Sequence, residues 1–467
     1  MMRKQLFYLL IGATGILSSC KESFLAPEPQ STATSVSFYK TTADLTNAVT
    51  ASYAALQDMY SANFLTMMEL RGDNVEDQNP GAEAGRNFNI DRFLAGSDNT
   101  IFDGAWGQLY NAISRCNNAL AHLDIITDTD LRIQYEGELR FLRGLHYFNL
   151  VRLFGGVPLI LQPTTPQQAQ QIGRDAVEEV YAAVEQDLMQ AATLLPVSYR
   201  SSDMGRATAG AAKGLLGKVY LTEKKYQQAV NVLQELLPSG TNPSDYMLLA
   251  HVSEVFDVEN KLNAEVLFAV HYEKTIFDQG HNVPAYINRP VIDPKLLAAY
   301  ESTDTRRDLL NTQALDANTA PIKKYYDTYD PTNRTVGNDF ILLRYADVLL
   351  MYAEALNELG YAADPNSDAF RYLNAVRNRA NASLFTPAQL PSQETFRAAV
   401  LQERRLELPF EFSRWFDLIR TNTAIEALKS SGLTPISIQE YQYLYPIPQG
   451  QIEVMHNPSI FPQNPGY

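Results

Sequence analysis

Glu403 and Glu407 are four residues apart, with Glu411 nearby. On a helix that spacing sets two carboxylates one turn apart, and a carboxylate pair is the apparatus of glycoside hydrolysis. Arg404, Arg405 and Arg414 sit among them. Cations that close favour ionised carboxylates, whereas a general acid must hold its proton near neutral pH. The cluster therefore reads as a structural ion-pair network. A second polar set, Arg344, Asp347, Glu354 and Glu358, falls at spacings of three and seven in an otherwise apolar run. It forms one stripe on a helix, expected to pair with Arg377 or Arg379 on the helix that follows.

Other chemistries lack their residues. His122, His146, His251, His271, His281 and His456 are scattered, with no HExxH and no accompanying cysteines, so no metal site is expected. His146 reads as a satisfied core residue. GxSxG, P-loop and GxGxxG patterns are missing, and no cofactor is called for. A formal net charge of -15 argues against nucleic-acid partners, because phosphate contacts need clustered cations.

Binding of a neutral ligand stays open. A saccharide site needs aromatic rings for the C–H face of a pyranose, ringed by carboxylates, amides and guanidinium groups for its hydroxyls. Two irregular stretches, about 69–104 and 272–340, supply both kinds of residue. The first offers Asp73, Asn74, Arg86, Asn87 and Phe88; the second offers Phe277, Tyr286, Arg289 and Tyr329. Trp106 and Trp415 are the only tryptophans and lie in helical, structural-looking segments, so any stacking platform must use Phe or Tyr.

These stretches interrupt a helical chain. Leu45, Val49, Tyr53 and Leu56 keep helical spacing after Thr41 or Thr42 as N-cap. Leu216-Gly217-x-x-Tyr220 with Ala229 and Leu233 fits a degenerate tetratricopeptide hairpin, in which Gly217 permits close helix approach. Glu138–Phe154 with Arg174–Leu195, and Ile341–Leu359 with Asp368–Ala380, look like further pairs. Val266–Val270 and Phe340–Leu343 are candidate strands. The expectation is a mostly α, tetratricopeptide-like helical-repeat scaffold with long irregular loops, a single domain over 41–467.

Ahead of it, Arg3 and Lys4, then the apolar run Leu6–Leu17, then Leu17-Ser18-Ser19-Cys20 read as an export signal over 1–19 ending in a lipobox. Cys20 would carry the lipid, and residues 20–40 would form the lipidated start and tether. Cys116 is then left without a partner and reads as a small core residue.

Four segments together carry a family resemblance: Phe141-Leu-Arg-Gly-Leu-His-Tyr-Phe148 with Leu153-Phe-Gly-Gly-Val-Pro158; Leu343-Arg-Tyr-Ala-Asp-Val-Leu-Leu350 with Tyr352-Ala-Glu-Ala355; Glu403-Arg-Arg-Leu-Glu-Leu408 with Arg414-Trp-Phe-Asp-Leu418; and Tyr445-Pro-Ile-Pro448 with Asn464-Pro-Gly-Tyr467. In this order they resemble the hallmarks of the SusD/RagB family. Lys323-Lys-Tyr-Tyr326 resembles a recurrent structural stretch of that family, so its tyrosines are left out of the site. The resemblance implies an outer-membrane lipoprotein on the cell exterior, built on tetratricopeptide-like helices and lying over a SusC-like TonB-dependent β-barrel transporter. It would deliver oligosaccharides, or peptides as the second reading, for uptake. A helical scaffold without a small ligand and a glycoside hydrolase are the alternatives of other classes.

Overall fold

A computed structural model describes residues 38–60, 63–200, 203–238, 245–277, 279–281, 291–311, 322–328, 330, 332–333 and 335–467. Cys20, the export signal and most of the tether lie outside the described residues.

Helix formation follows local signals. Helix α1 (Thr42–Tyr60) begins where the Thr41 hydroxyl accepts the Asp44 amide at 3.2 Å and the Asp44 carboxylate accepts the Thr41 amide at 2.8 Å. After α2 (Asn63–Glu69) come β1 (Val75–Glu76) and α3 (Arg86–Asp91). Asn99 caps α4 (Thr100–Leu120), and Asp128 caps α5 (Thr129–Phe154) through the Asp130 and Leu131 amides. Helices α6 (Val177–Leu194), α7 (Ala209–Thr222) and α8 (Tyr226–Gln234) follow.

In the second half, β2 (Val266–Val270), β3 (Val291–Ile292), α9 (Pro294–Ala299) and β4 (Phe340–Arg344) precede α10 (Tyr345–Leu359), α11 (Asp368–Arg379), α12 (Gln393–Glu407) and α13 (Arg414–Arg420). Strands β2 and β4 pair antiparallel, from Val266 opposite Arg344 to Val270 opposite Phe340. The apolar run expected to open a helix at Ile341 is thus strand as far as Arg344, and the helix starts at Tyr345.

The helices stack in sequence: α4 on α5, α5 on α6, α6 on α7, α7 on α8, α8 on α10, and α10 on both α11 and α12. Buried side chains from Leu45 to Phe461 form one contiguous cluster. Glycine sets a close approach between α7 and α8. A Cβ on Gly217 would lie 2.3 Å from Leu233 Cδ2, so something would have to shift to admit it, whereas one on Gly144 would lie a tight 3.1 Å from Leu188 Cδ2.

Some expectations shift. The acidic residues of α10 do not pair with Arg377 or Arg379. Asp347 meets Lys218 and Arg404 at 2.7 Å, Glu354 meets Arg420, and Glu358 meets Arg397 at 2.6 Å. The cause is that α10 packs on α12 as well as α11, and its carboxylates turn toward α12, α13 and α7. His146 is fully buried as expected, yet neither ring nitrogen has a hydrogen-bond partner. Burial lowers its pKa to about 3, so the ring stays neutral in an apolar setting. Cys116 is free and buried, and burial pushes its thiol up to about 12.

Candidate functional site

The Glu403, Glu407 and Glu411 carboxylates are fully engaged. Glu403 accepts Arg306 at 2.5 Å and Arg377 at 2.6 Å, and Glu407 accepts Arg306 at 2.9 Å together with Arg344 and Arg379. Glu411 accepts Arg344 at 2.7 Å and Lys324 at 2.5 Å. All of these carboxylates are buried. Burial alone would raise the Glu407 carboxyl, but Arg379, Arg344 and Arg306 hold it well below the ordinary range. No proton is stored there for a leaving group. The cluster is a clamp between β4, α11, α12 and the turn Thr305–Leu310.

The same clamp reaches the two irregular stretches. Strands β1 and β3 pair antiparallel, with Val75 opposite Ile292 and Glu76 opposite Val291, and the Asp293 amide donates to the Asn74 carbonyl at 2.8 Å. Arg405 of α12 donates to the Asn74 side chain at 2.9 Å, the Asp73 carbonyl at 2.7 Å and the Asp293 carboxylate at 2.8 Å. Arg414 holds the Asp73 carboxylate with two bonds, at 2.6 and 2.8 Å. Burial would raise the Asp73 carboxyl, but Arg414 and Arg405 lower it. The sequence reading puts Asp73 and Asn74 against a ligand. Buried and committed to arginines, they instead anchor the loop that carries the other candidates.

Those others lie on α3. Gly85, at φ 73°, turns the chain into this helix, a conformation that suits a residue without a Cβ. Arg86, Asn87 and Phe88 are half-buried on it. Arg86 donates to the Thr100 hydroxyl at 3.0 Å, fastening α3 to the start of α4. The Arg92 guanidinium lies 5.4 Å from the Phe88 ring centroid and 3.1 Å from Glu76, so the ring is held against the β1 strand by a cation. Leu94, just beyond the helix, is 69% exposed. An aromatic ring, an amide and guanidinium groups are thus gathered on and beside one short, half-buried helix.

Phe277 belongs to the second stretch. It is 84% exposed, at the tip of a turn closed by the Glu273 amide on the Gln279 carbonyl at 2.8 Å. Lys274 fastens that turn to Asp327 at 2.7 Å and to the Thr328 carbonyl at 2.8 Å, anchors that α3 does not share. Tyr286, Arg289 and Tyr329 lie outside the described residues. Trp106 and Trp415 are both buried, so neither presents a ring to solvent. Lys324 and Tyr325 are core, as the family pattern implied, but Tyr326 is half-buried and borders a surface cleft.

The sequence alone gives Arg405, Asp293 and Glu76 no part in joining the two stretches. One signal for Asp293 was legible: Asp293-Pro294 is a helix start, with the Asp293 carboxylate accepting the Lys295 amide at 2.9 Å.

Comparison with known proteins gives this arrangement its family. The SusD family pattern matches residues 300–467, and a pattern described as starch-binding, associating with outer membrane, matches residues 23–221. The chain belongs to the SusD/RagB family. SusD-like protein P2 of Formosa agariphila is 29% identical over 95% of this chain and 94% of its own length. A solved laminarin binding SusD-like protein superposes with a TM-score of 0.78 at 26% identity, covering 92% of this chain and 100% of that one. Surface glycan-binding protein A from Bacteroides thetaiotaomicron, solved in complex with laminarihexaose, shares the fold with a TM-score of 0.75 at 21% identity, covering 91% of this chain and 99% of that one. The mostly helical SusD-like fold thus holds over nearly the whole chain.

Proposed function

We propose that this SusD/RagB protein is a lipid-anchored binding protein of the outer membrane that captures oligosaccharides at the cell exterior and passes them to a TonB-dependent β-barrel transporter. The observation that carries the reading is the β1–β3 pairing, held by Arg405, which brings parts of the two irregular stretches side by side, with half-buried Phe88 on α3 close by in the chain. Arg86, Asn87 and Phe88 would contact the ligand from the first stretch, and Phe277, Tyr286, Arg289 and Tyr329 from the second. Capture needs affinity alone, and the carboxylates closest to a hydrolytic spacing are bound to arginines.

The laminarin binding relative makes a β-glucan the first ligand to try. Burial of both tryptophans favours a site of Phe, Tyr and hydrogen bonds, which keeps peptides as the second reading. Calorimetric titration of the full chain in detergent with laminari-oligosaccharides, other plant and host glycans and a peptide pool tests it. Saccharide binding is the expected result; binding confined to peptides overturns the glycan reading, and release of shorter products overturns capture without chemistry.

A further inference from the structure

Thr328, which anchors the Phe277 turn, also borders an open cleft of about 450 Å³ walled by the short helical segments Val252–Val255, Thr305–Leu310 and Lys323–Tyr325. Small-molecule sites occupy about 300–1,000 Å³. Among the described residues, none of the candidates read from the sequence lines it.

Its apolar surface comes from Phe256, Val258, Leu309 and Tyr326. Phe256 is backed by cations, with Lys324 Nζ 4.6 Å and the Arg344 guanidinium 5.7 Å from its ring centroid. Tyr326 is fixed through its backbone, whose carbonyl accepts Asn338 at 3.1 Å, while its hydroxyl makes no hydrogen bond among the described residues.

Charge is arranged unevenly around these rings. Asp308 is neutralised by Lys323 at 2.7 Å, and Asp327 by Lys274 at 2.7 Å. Glu254, Asp257 and Glu259 form no ion pair among the described residues. Glu254 accepts the His251 amide at 3.3 Å and Asp257 accepts the Glu259 amide at 3.0 Å, local bonds that orient the carboxylates and leave their charge in place. Uncompensated carboxylates beside aromatic rings attract a cation that carries an apolar face. None of the lining residues belongs to a strand, so an extended peptide finds no edge to pair with here.

We infer that this cleft is a separate ligand site for an amine-bearing saccharide, a glucosamine-type unit whose ring lies on Tyr326 and whose ammonium meets Glu254, Asp257 and Glu259. It does not depend on the α3 face, and its test is separable from that of the capture site.

The test titrates the full chain in detergent with a fully deacetylated glucosamine tetramer and with its N-acetylated counterpart. The deacetylated tetramer should bind at least about tenfold more tightly, a difference of about 1.4 kcal/mol. Its affinity should fall between about 0.1 and 1 M salt, as the Debye length shrinks from about 10 Å to about 3 Å. A triple Glu254→Gln, Asp257→Asn, Glu259→Gln variant keeps an accepting oxygen for each local backbone bond. It should lose at least about tenfold in affinity for the tetramer with laminari-oligosaccharide binding unchanged. Should that variant unfold, Tyr326→Ala alone decides: lost affinity supports the site and retained affinity overturns it. Equal binding of the two tetramers, or oligolysine binding more tightly than the saccharide through the same residues, also overturns the proposal.

Discussion

The Arg405 guanidinium meets the Asp293 carboxylate at 2.8 Å, and through this contact α12 holds both irregular stretches, since the same group bonds Asn74 and the Asp73 carbonyl. Asp293 is fully buried. Arg405→Ala leaves that carboxylate without its cation, and such a break costs about 3–5 kcal/mol. Arg405→Lys should recover only part of the loss, because an ammonium is a point charge and three acceptors diverge around the planar group. Urea unfolding of the two variants measures both effects. A loss below about 1 kcal/mol for Arg405→Ala would show that the ladder alone holds the loops.

Glu69 makes stability depend on pH in an unusual direction. One of its oxygens accepts the Phe412 amide at 2.8 Å, and the other has no hydrogen-bond partner. Burial raises its pKa from 4.5 to about 7, against the pull of the Phe412 amide and Lys324. The folded chain therefore binds this proton more tightly than the unfolded chain, and stability is lost as pH rises through that window. Glu407 acts in the opposite sense: its lowered carboxyl gives stability that is present above the unfolded value and lost only as pH falls. Glu69→Gln should raise stability at about pH 8 relative to about pH 5 by roughly 2–3 kcal/mol compared with the parent chain. Chemical unfolding at the two pH values checks this; an unchanged difference would mean that Glu69 does not titrate in the fold.

Gly217→Ala tests the close approach of α7 to α8. The added methyl falls 2.3 Å from a methyl of the fully buried Leu233. Overpacking of about 1–3 kcal/mol should outweigh the gain of about 1 kcal/mol in helix propensity. In the double variant with Leu233→Ala the methyl finds room, so the two effects should couple by about 0.5–3 kcal/mol. Strict additivity in thermal or urea unfolding would show that the helices are not in contact at this point.

Much of the helical array was legible because its signals are local. Thr41, one of the two N-cap candidates, caps α1, and Gly217 sits where the hairpin pattern requires a small residue. Partnerships across the fold were not legible. Arg379, at the end of α11, turns to Glu265 and Glu407, residues 114 and 28 positions away in the chain. Nothing in the spacing of Asp347 names Lys218 as its partner. The candidate site divides in the same way: residue types marked the two irregular stretches, but whether Asp73 faces a ligand or an arginine depends on Arg414, 341 residues further on.

Cys20→Ala tests the anchor. With the acyl chains goes about 0.8 kcal/mol per buried CH₂, and no described helix is long and apolar enough to cross a membrane. Fractionation should move the protein from the membrane pellet to the soluble fraction with its unfolding midpoint unchanged. Retention in the pellet would defeat the lipid-anchor proposal.

Phe277 and Phe88 separate recognition from stability. Phe277 is 84% exposed, so Phe277→Ala should change stability by less than about 0.5 kcal/mol. Phe88 is half-buried against Arg92, so its removal gives up a cation–ring contact of about 0.5–1 kcal/mol. If these rings stack on a pyranose, each substitution should weaken oligosaccharide binding by about 0.5–1.5 kcal/mol, or roughly two- to tenfold. Calorimetry and thermal unfolding on the same preparations distinguish the outcomes. Full affinity in both variants would remove the two rings from the capture site, and a large fall in the unfolding midpoint of Phe88→Ala would assign that ring to packing. Loss in one variant alone would place the ligand on α3 or on the Phe277 turn, and so decide which of the two stretches does the recognising.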